Sequence, residues 1–224
     1  MRKLFCALLL ISGFFVNSSV ADAQITYGVK GGISVATFIQ EFDTPMREGN
    51  IAETSSVTGF AGGAFAKFTI PLLPFSIQPE ILYVRKGGEG RYSGKIETSD
   101  FASKEVLTLD YVEIPVLLKF NIPVPLPVTP SIFAGPTYSY LVGSEKKVAF
   151  TMDSQTDNST FKPISDLEKH DFGVAFGGEL DFNVLATKLT LDARYTLGLA
   201  GLKETEMRRT LKNRAWIVML GVAF

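Results

Sequence analysis

The 224-residue sequence contains one histidine, His170, and Asp171 follows it. A histidine beside a carboxylate is half of an acid–base pair, and hydrolysis would also need a serine within hydrogen-bond reach. Serines are plentiful in the polar stretches, but no spacing ties one to His170. The pair therefore reads as a surface histidine at a strand end, and no catalytic residue is expected. Metal chemistry has little to work with. The one cysteine, Cys6, sits in the N-terminal apolar segment, a lone histidine cannot make a cage, and "DSQTDNS" lacks the distant Glu that completes a calcium loop. The glycine-rich "GVKGG" and "RKGGEGRYSG" do not stand between a buried strand and a helix start, as a phosphate loop requires. No metal, cofactor or enzymatic activity is expected.

A different set of charged residues recurs with a period of two inside apolar segments. In "DYVEIPVLLKF" Val112, Ile114, Val116, Leu118 and Phe120 share one face, while Glu113 and Lys119 lie on the other with Tyr111, Pro115 and Leu117. "DFGVAFGGELDF" puts Phe172, Val174, Phe176, Leu180 and Phe182 opposite Asp171, Glu179 and Asp181; "KLTLDARYTLG" puts Leu189, Leu191, Tyr195 and Leu197 opposite Asp192 and Arg194. The first strands follow suit, with Lys30 opposite Val29 and Glu80 opposite Ile81. Buried singly, each charge would cost several kcal/mol, about 2 or more even after relaxation. Glu80, Glu113, Glu179 and Asp192 are matched in number by Lys30, Lys67, Lys119 and Arg194, so they can pair as an interior polar network.

These residues need strands to carry them, and alternation predicts eight, near 25–38, 57–70, 75–87, 105–120, 130–142, 170–182, 187–200 and 213–224. The connections alternate in length. Long polar ones are expected at 39–56, 88–104, 143–169 and 201–212, short ones at 71–74, 121–129 and 183–186. "MRKLFCALLLISGFFVNSSVADAQ" has the basic start, short apolar run and A-x-A site of a secretory signal peptide, so residues 1–23 are expected to be removed and 24–224 to form one domain. The charges nearly balance, which gives no footing for nucleic acid. An exported, phenylalanine-rich chain without a spanning helix points to a closed sheet in a membrane. The expected fold is all-β: an eight-stranded antiparallel up-and-down transmembrane β-barrel with short periplasmic turns, long extracellular loops and both termini periplasmic.

Eight strands leave an interior just wide enough for side chains, so the polar network would plug it and a wide pore is disfavoured. A soluble, lipocalin-like barrel fits the same alternation turned inside out. Against it stand the loop-length pattern and the aromatics near strand ends (Tyr27, Phe38, Phe68, Phe120, Tyr138, Tyr140, Phe182, Trp216, Phe224), where a membrane girdle would lie. Pro79, Pro115 and Pro136 fall inside expected strands and predict bulges or strand ends.

The pieces "YGVKGGISVATF", "QPEILYVRKGG", "LDYVEIPVLLKF", "FAGPTYSYLVG", "DFGVAFGGELDF", "DARYTLGLAGL" and "NRAWIVMLGVAF", in this order, resemble the PorT-like family of bacterial outer-membrane β-barrel proteins. The resemblance implies a Gram-negative outer-membrane barrel without a catalytic motif; one branch of the family is associated with protein secretion. The expected role is non-enzymatic, in membrane structure or in binding a partner through the outer loops, with a part in a secretion or assembly machine as the alternative. An enzyme or a narrow pore comes last. Expected partners are outer-membrane lipid and lipopolysaccharide, which the basic residues of "KETEMRRTLKNR" could touch, and secretion-system proteins. The barrel assembly machinery would read the terminal Phe224 as an assembly signal.

Overall fold

The computed structural model describes residues 24–42, 51–96, 99–125, 127–153, 155–162, 168–184, 187–200, 202–204 and 209–224. The expected signal peptide lies outside them. Among the described residues ten strands form one antiparallel sheet: β1 (Gln24–Phe42), β2 (Ile51–Thr69), β3 (Phe75–Ile96), β4 (Ser99–Asn121), β5 (Val128–Met152), β6 (Gln155–Phe161), β7 (His170–Val184), β8 (Thr187–Gly198), β9 (Leu202–Glu204) and β10 (Arg209–Ala223). Among the described residues no helix is long and apolar enough to cross a membrane.

Pairing runs β1-β2-β3-β4-β5-β7-β8-β10, and β10 pairs back with β1 from Gly28↔Ala223 to Phe42↔Arg209. Eight strands are thus joined in a ring. β6 and β9 hang outside it, on β5 and β10. At the end of the chain, Phe224 and Tyr27 exchange backbone hydrogen bonds of 2.8 and 3.1 Å.

Several strands run well beyond their expected limits. The segment 88–104 belongs to the β3–β4 hairpin, paired out to Ile96↔Ser99, and 143–161 holds the end of β5 and β6. Polar side chains read as loop, but where both faces meet water a backbone ladder already in register can propagate through them, its hydrogen bonds and cross-strand pairs offsetting the entropy of ordering. The expected long loops are therefore largely strand in these two places.

The prolines behave differently from expectation. Pro79, Pro115 and Pro136 sit inside β3, β4 and β5 with the register unchanged across each. Each keeps its partner on one side, Val116, Thr137 and Val174 respectively. On the other side the pairing lapses for two positions: Ala66 and Lys67 against Pro79 and Gln78, Glu80 and Ile81 against Pro115 and Ile114, Val116 and Leu117 against Pro136 and Gly135. A strand residue bonds to one neighbour only, so a missing N–H opens one ladder and spares the other. The bulges lie elsewhere, between Ser56 and Ala61 on β2 and at Asp110–Tyr111 on β4. Where the β4–β5 pairing lapses, a Cβ on Gly135 would come within 1.9 Å of the Val116 carbonyl oxygen, so only glycine fits there.

Alternation then sorts the faces. Outward lie Ile33, Phe60, Ile81, Leu118, Ile132, Phe172, Trp216 and Leu220, all exposed, whereas Arg194, Lys119 and Glu113 are inward at 0% exposure. The soluble, apolar-inside alternative is overturned by this arrangement. Phe38 also departs from expectation: it shares the parity of Lys30 and Ser34, so it points inward and packs against Leu107, Leu109, Tyr111 and Leu141 instead of joining a girdle.

Candidate functional site

The inward face is filled in layers. Nearest the short connections, Lys67 reaches Asp181 at 2.5 Å and Glu179 at 3.8 Å, and Lys119 pairs with Glu179. Lys119 also donates to Gln78 Oε1 at 3.0 Å, and Gln78 Nε2 donates to Glu80 Oε1 at 2.7 Å. Lys30 contacts Glu80 at 2.6 Å and Asp192 at 2.9 Å. Arg194 holds Glu80 through Nη1 at 2.7 Å and Nη2 at 3.1 Å, and Asp192 through Nε at 2.9 Å and also Nη2. The guanidinium plane lies 5.2 Å from the Phe133 ring.

This is one continuous network carrying Lys30, Lys67, Lys119 and Arg194 against Glu80, Glu179, Asp181 and Asp192. Its charges cancel. Ions buried this deeply are tolerable only when every one has a partner and hydrogen bonds besides. Beside and beyond it lie apolar layers, Leu82, Val84, Ile217 and Met219 with Ala36, Ala61 and Ala215 on one side, Leu117, Phe133 and Ala175 on the other.

Past those layers a second polar group collects. Lys86 pairs with Glu113, Ser139 donates to Glu113 Oε2 at 3.1 Å, and Asn213 Nδ2 donates to the Tyr111 hydroxyl at 3.2 Å. Farther out, Lys146 lies 3.4 Å from Glu105.

Of the eight residues singled out from sequence, the structure gathers Lys30, Lys67, Glu80, Lys119, Glu179, Asp192 and Arg194 into the first network. Glu113 stands apart in the second. Gln78, Asp181 and Lys86 were missed as members, although each shares the parity of a chosen neighbour: Gln78 and Lys86 with Glu80, Asp181 with Glu179. Parity was the signal, and it was not carried through to every polar position on the same face.

His170 and Asp171 are neighbours on a strand and so point to opposite faces. Asp171 is buried inside, whereas His170 is exposed outside. There Nδ1 is 2.7 Å from the Tyr138 hydroxyl and the ring meets Tyr140 edge-on at 5.3 Å. The two cannot work as a pair. Among the described residues no three His, Cys, Asp or Glu side chains gather as a metal cage.

The outer surface is as sorted as the interior. Trp216, Tyr195 and Phe176 meet across β10, β8 and β7 with ring centroids 4.9 and 5.7 Å apart, tilted and edge-on respectively, while exposed ion pairs lie on the long hairpins. A model of the outer membrane protein beta-barrel domain matches residues 17–204. The chain belongs to this family. As an outer-membrane protein of the Gram-negative type, it meets hydrocarbon with the apolar face described above.

Solved structures give loose likenesses of fold. OprG from Pseudomonas aeruginosa is 11% identical with a TM-score of 0.43, covering 91% of this chain and 98% of that one. A major outer membrane protein from Thermus thermophilus is 9% identical with a TM-score of 0.43, covering 90% and 99%. The outer membrane protease OmpT from Escherichia coli is 8% identical with a TM-score of 0.42, covering 93% and 99%. No curated protein matches the chain. Likenesses at this level carry nothing about activity.

Beyond the apolar belt the hairpins carry exposed ion pairs, Arg91 and Lys104 with Glu89, Lys147 and Lys162 with Glu145. Lys104 holds the Glu89 carboxyl below its usual range, against the opposing effect of burial, and Arg91 adds to the lowering. Lys162 and Lys147 do the same for Glu145.

Proposed function

We propose that this outer-membrane protein is an eight-stranded transmembrane barrel with a sealed interior, acting without catalysis by holding a strand platform at the cell surface. The observation that carries the reading is the inward face: a charge-neutral network, apolar layers and a second polar group fill the ring from one end toward the other. Such packing leaves a water-filled path no room. The platform is the extension of β2 to β6 past the apolar belt, whose polar faces suit binding of a partner or of the phosphate-bearing surface of lipopolysaccharide. Tyr27 and Phe224 meet at the end that also holds the short connections, which supports both termini lying in the periplasm. There Phe224 serves the assembly machinery as its signal. A part in secretion rests on the PorT-like resemblance alone and is the second reading.

Planar-bilayer recording tests the seal. The refolded protein is expected to give no steady conductance, and a stable single-channel current would overturn a plugged interior. Amine labelling of intact cells at Lys95 and Lys104, with Lys188 beside the short β7–β8 connection left unlabelled, tests the orientation. A cross-linking pull-down from native membranes that returned a stable set of secretion proteins would favour the second reading.

A further inference from the structure

The second polar group does not balance as the first one does. Glu113, Ser139 and Asp171 stand in one row across β4, β5 and β7, as the pairs Glu113↔Ser139 and Ser139↔Asp171 show, and all three point inward. Asn213 faces them from β10. Next to it the backbone of Gly198 packs close: a Cβ there would lie 3.1 Å from Asp171 Oδ2 and 3.2 Å from the Asn213 carbonyl oxygen, tighter than a side chain normally sits. Lys86 is committed to Glu113 and sits 5.7 Å from the Tyr111 ring. The charges facing Asp171 are Lys86 and Glu113; its carboxylate accepts hydrogen bonds from the Asn213 side chain and the Phe172 backbone but forms no ion pair among the described residues. Two carboxylates thus share one cation.

Three oxygens of this group are buried with no donor from the described protein: Glu113 Oε1, Asp171 Oδ1 and Asn213 Oδ1. Their residues are 0%, 4% and 2% exposed. Acceptors left this way cost free energy, and a buried negative charge without a partner costs more. One water could give its two hydrogens to two of the three oxygens and would leave the charge in place. A cation answers both deficits at once.

We propose that these three oxygens, Glu113 Oε1, Asp171 Oδ1 and Asn213 Oδ1, bind one small hard cation, with a monovalent ion such as sodium matching the single excess negative charge. All donors are oxygen, the preference of hard cations. The ion ties β4, β7 and β10 together across the ring and stabilises its outer half.

The test uses the full mature chain refolded in detergent. Unfolding is followed by heat-modifiable gel migration in sodium chloride and in choline chloride at equal ionic strength, choline being a quaternary ammonium that carboxylate and amide oxygens cannot coordinate closely. Sodium should raise the midpoint saturably, by roughly 3–6 °C at ten times the dissociation constant. Asp171→Asn should abolish the difference, and Glu89→Gln, on the exposed outer face, should keep it. Crystals soaked in thallium(I) supply a readout that does not depend on whether the variant folds: an anomalous peak is expected among Glu113, Asp171 and Asn213. No peak there, or a sodium effect that survives Asp171→Asn, overturns the proposal.

Discussion

Replacing Arg194 with methionine keeps much of the side-chain volume and removes one charge from a network that now cancels. Arg194 is fully buried and makes four hydrogen bonds, two to Glu80 and two to Asp192. Without it, Glu80 and Asp192 share Lys30 alone, and the network carries one excess negative charge. Breaking a buried pair in this way costs about 3–5 kcal/mol. Lys30 remains at 2.6 and 2.9 Å from the two carboxylates and Gln78 still donates to Glu80, which places the expected loss near the lower end, about 3 kcal/mol. The lost contact with the Phe133 ring adds about 0.5 kcal/mol or more. The folding constant should fall roughly several-hundred-fold. The assay is reversible urea unfolding into and out of lipid vesicles, followed by tryptophan emission from Trp216, the single tryptophan. Adding Glu80→Gln to Arg194→Met restores neutrality and should recover about 1 kcal/mol or more, although Glu80→Gln alone is destabilising. Two outcomes would refute the reasoning: Arg194→Met within about 1 kcal/mol of the parent, or strict additivity of the two changes. Either would mean that water screens the interior.

Further consequences follow from the other face and the ends. Leu220→Lys places a cation at an exposed outward position among Val218 and Val222 and should cost about 2–4 kcal/mol in vesicles, read by the same unfolding curves; an unchanged midpoint would mean this face does not meet hydrocarbon. Gly135→Ala must displace the Val116 carbonyl and should lower stability by about 1–3 kcal/mol, while Gly178→Ala, whose Cβ would have its nearest contact at 3.5 Å, should stay within about 0.5 kcal/mol. Deleting Phe224 removes the last bond pair of the β1–β10 seam and should reduce the assembled, heat-modifiable form in cells more than it changes the urea midpoint of refolded protein. Normal membrane assembly without Phe224 would refute its role as a signal.

Much of the fold was legible in the sequence because a strand has a period of two, and a one-residue error would move every side chain to the other face. That constraint assigned Arg194, Lys119 and Glu113 to one side and Leu220, Val218 and Trp216 to the other, and it would have added Gln78, Asp181 and Lys86 had it been applied to every charged or amide position. It could not say which side was inside. The ring of pairings decided that, since β10 returning to β1 gives the sheet one enclosed face, and the face it encloses is the one that carries Arg194, Lys119 and Glu113.

Strand length was also beyond the sequence. Residues 88–104 are polar and glycine-rich, the composition of a loop, yet the register inherited from the β3–β4 pairs below carries them on as ladder. The three prolines misled for a related reason, since a missing donor affects one neighbour, and which neighbour it is depends on pairing across the sheet. Partnership inside the ring likewise came only with tertiary structure. Lys30 and Asp192 are 162 residues apart in sequence and 2.9 Å apart in space, and Asp171, beside a histidine in the chain, turns its carboxylate away from it toward Glu113 and Asn213. The sequence by itself determined which residues share a face, because that depends on backbone geometry between near neighbours. Which charges meet, and which one is left without a partner, depends on where eight strands stagger around a closed ring, and no local pattern encodes that.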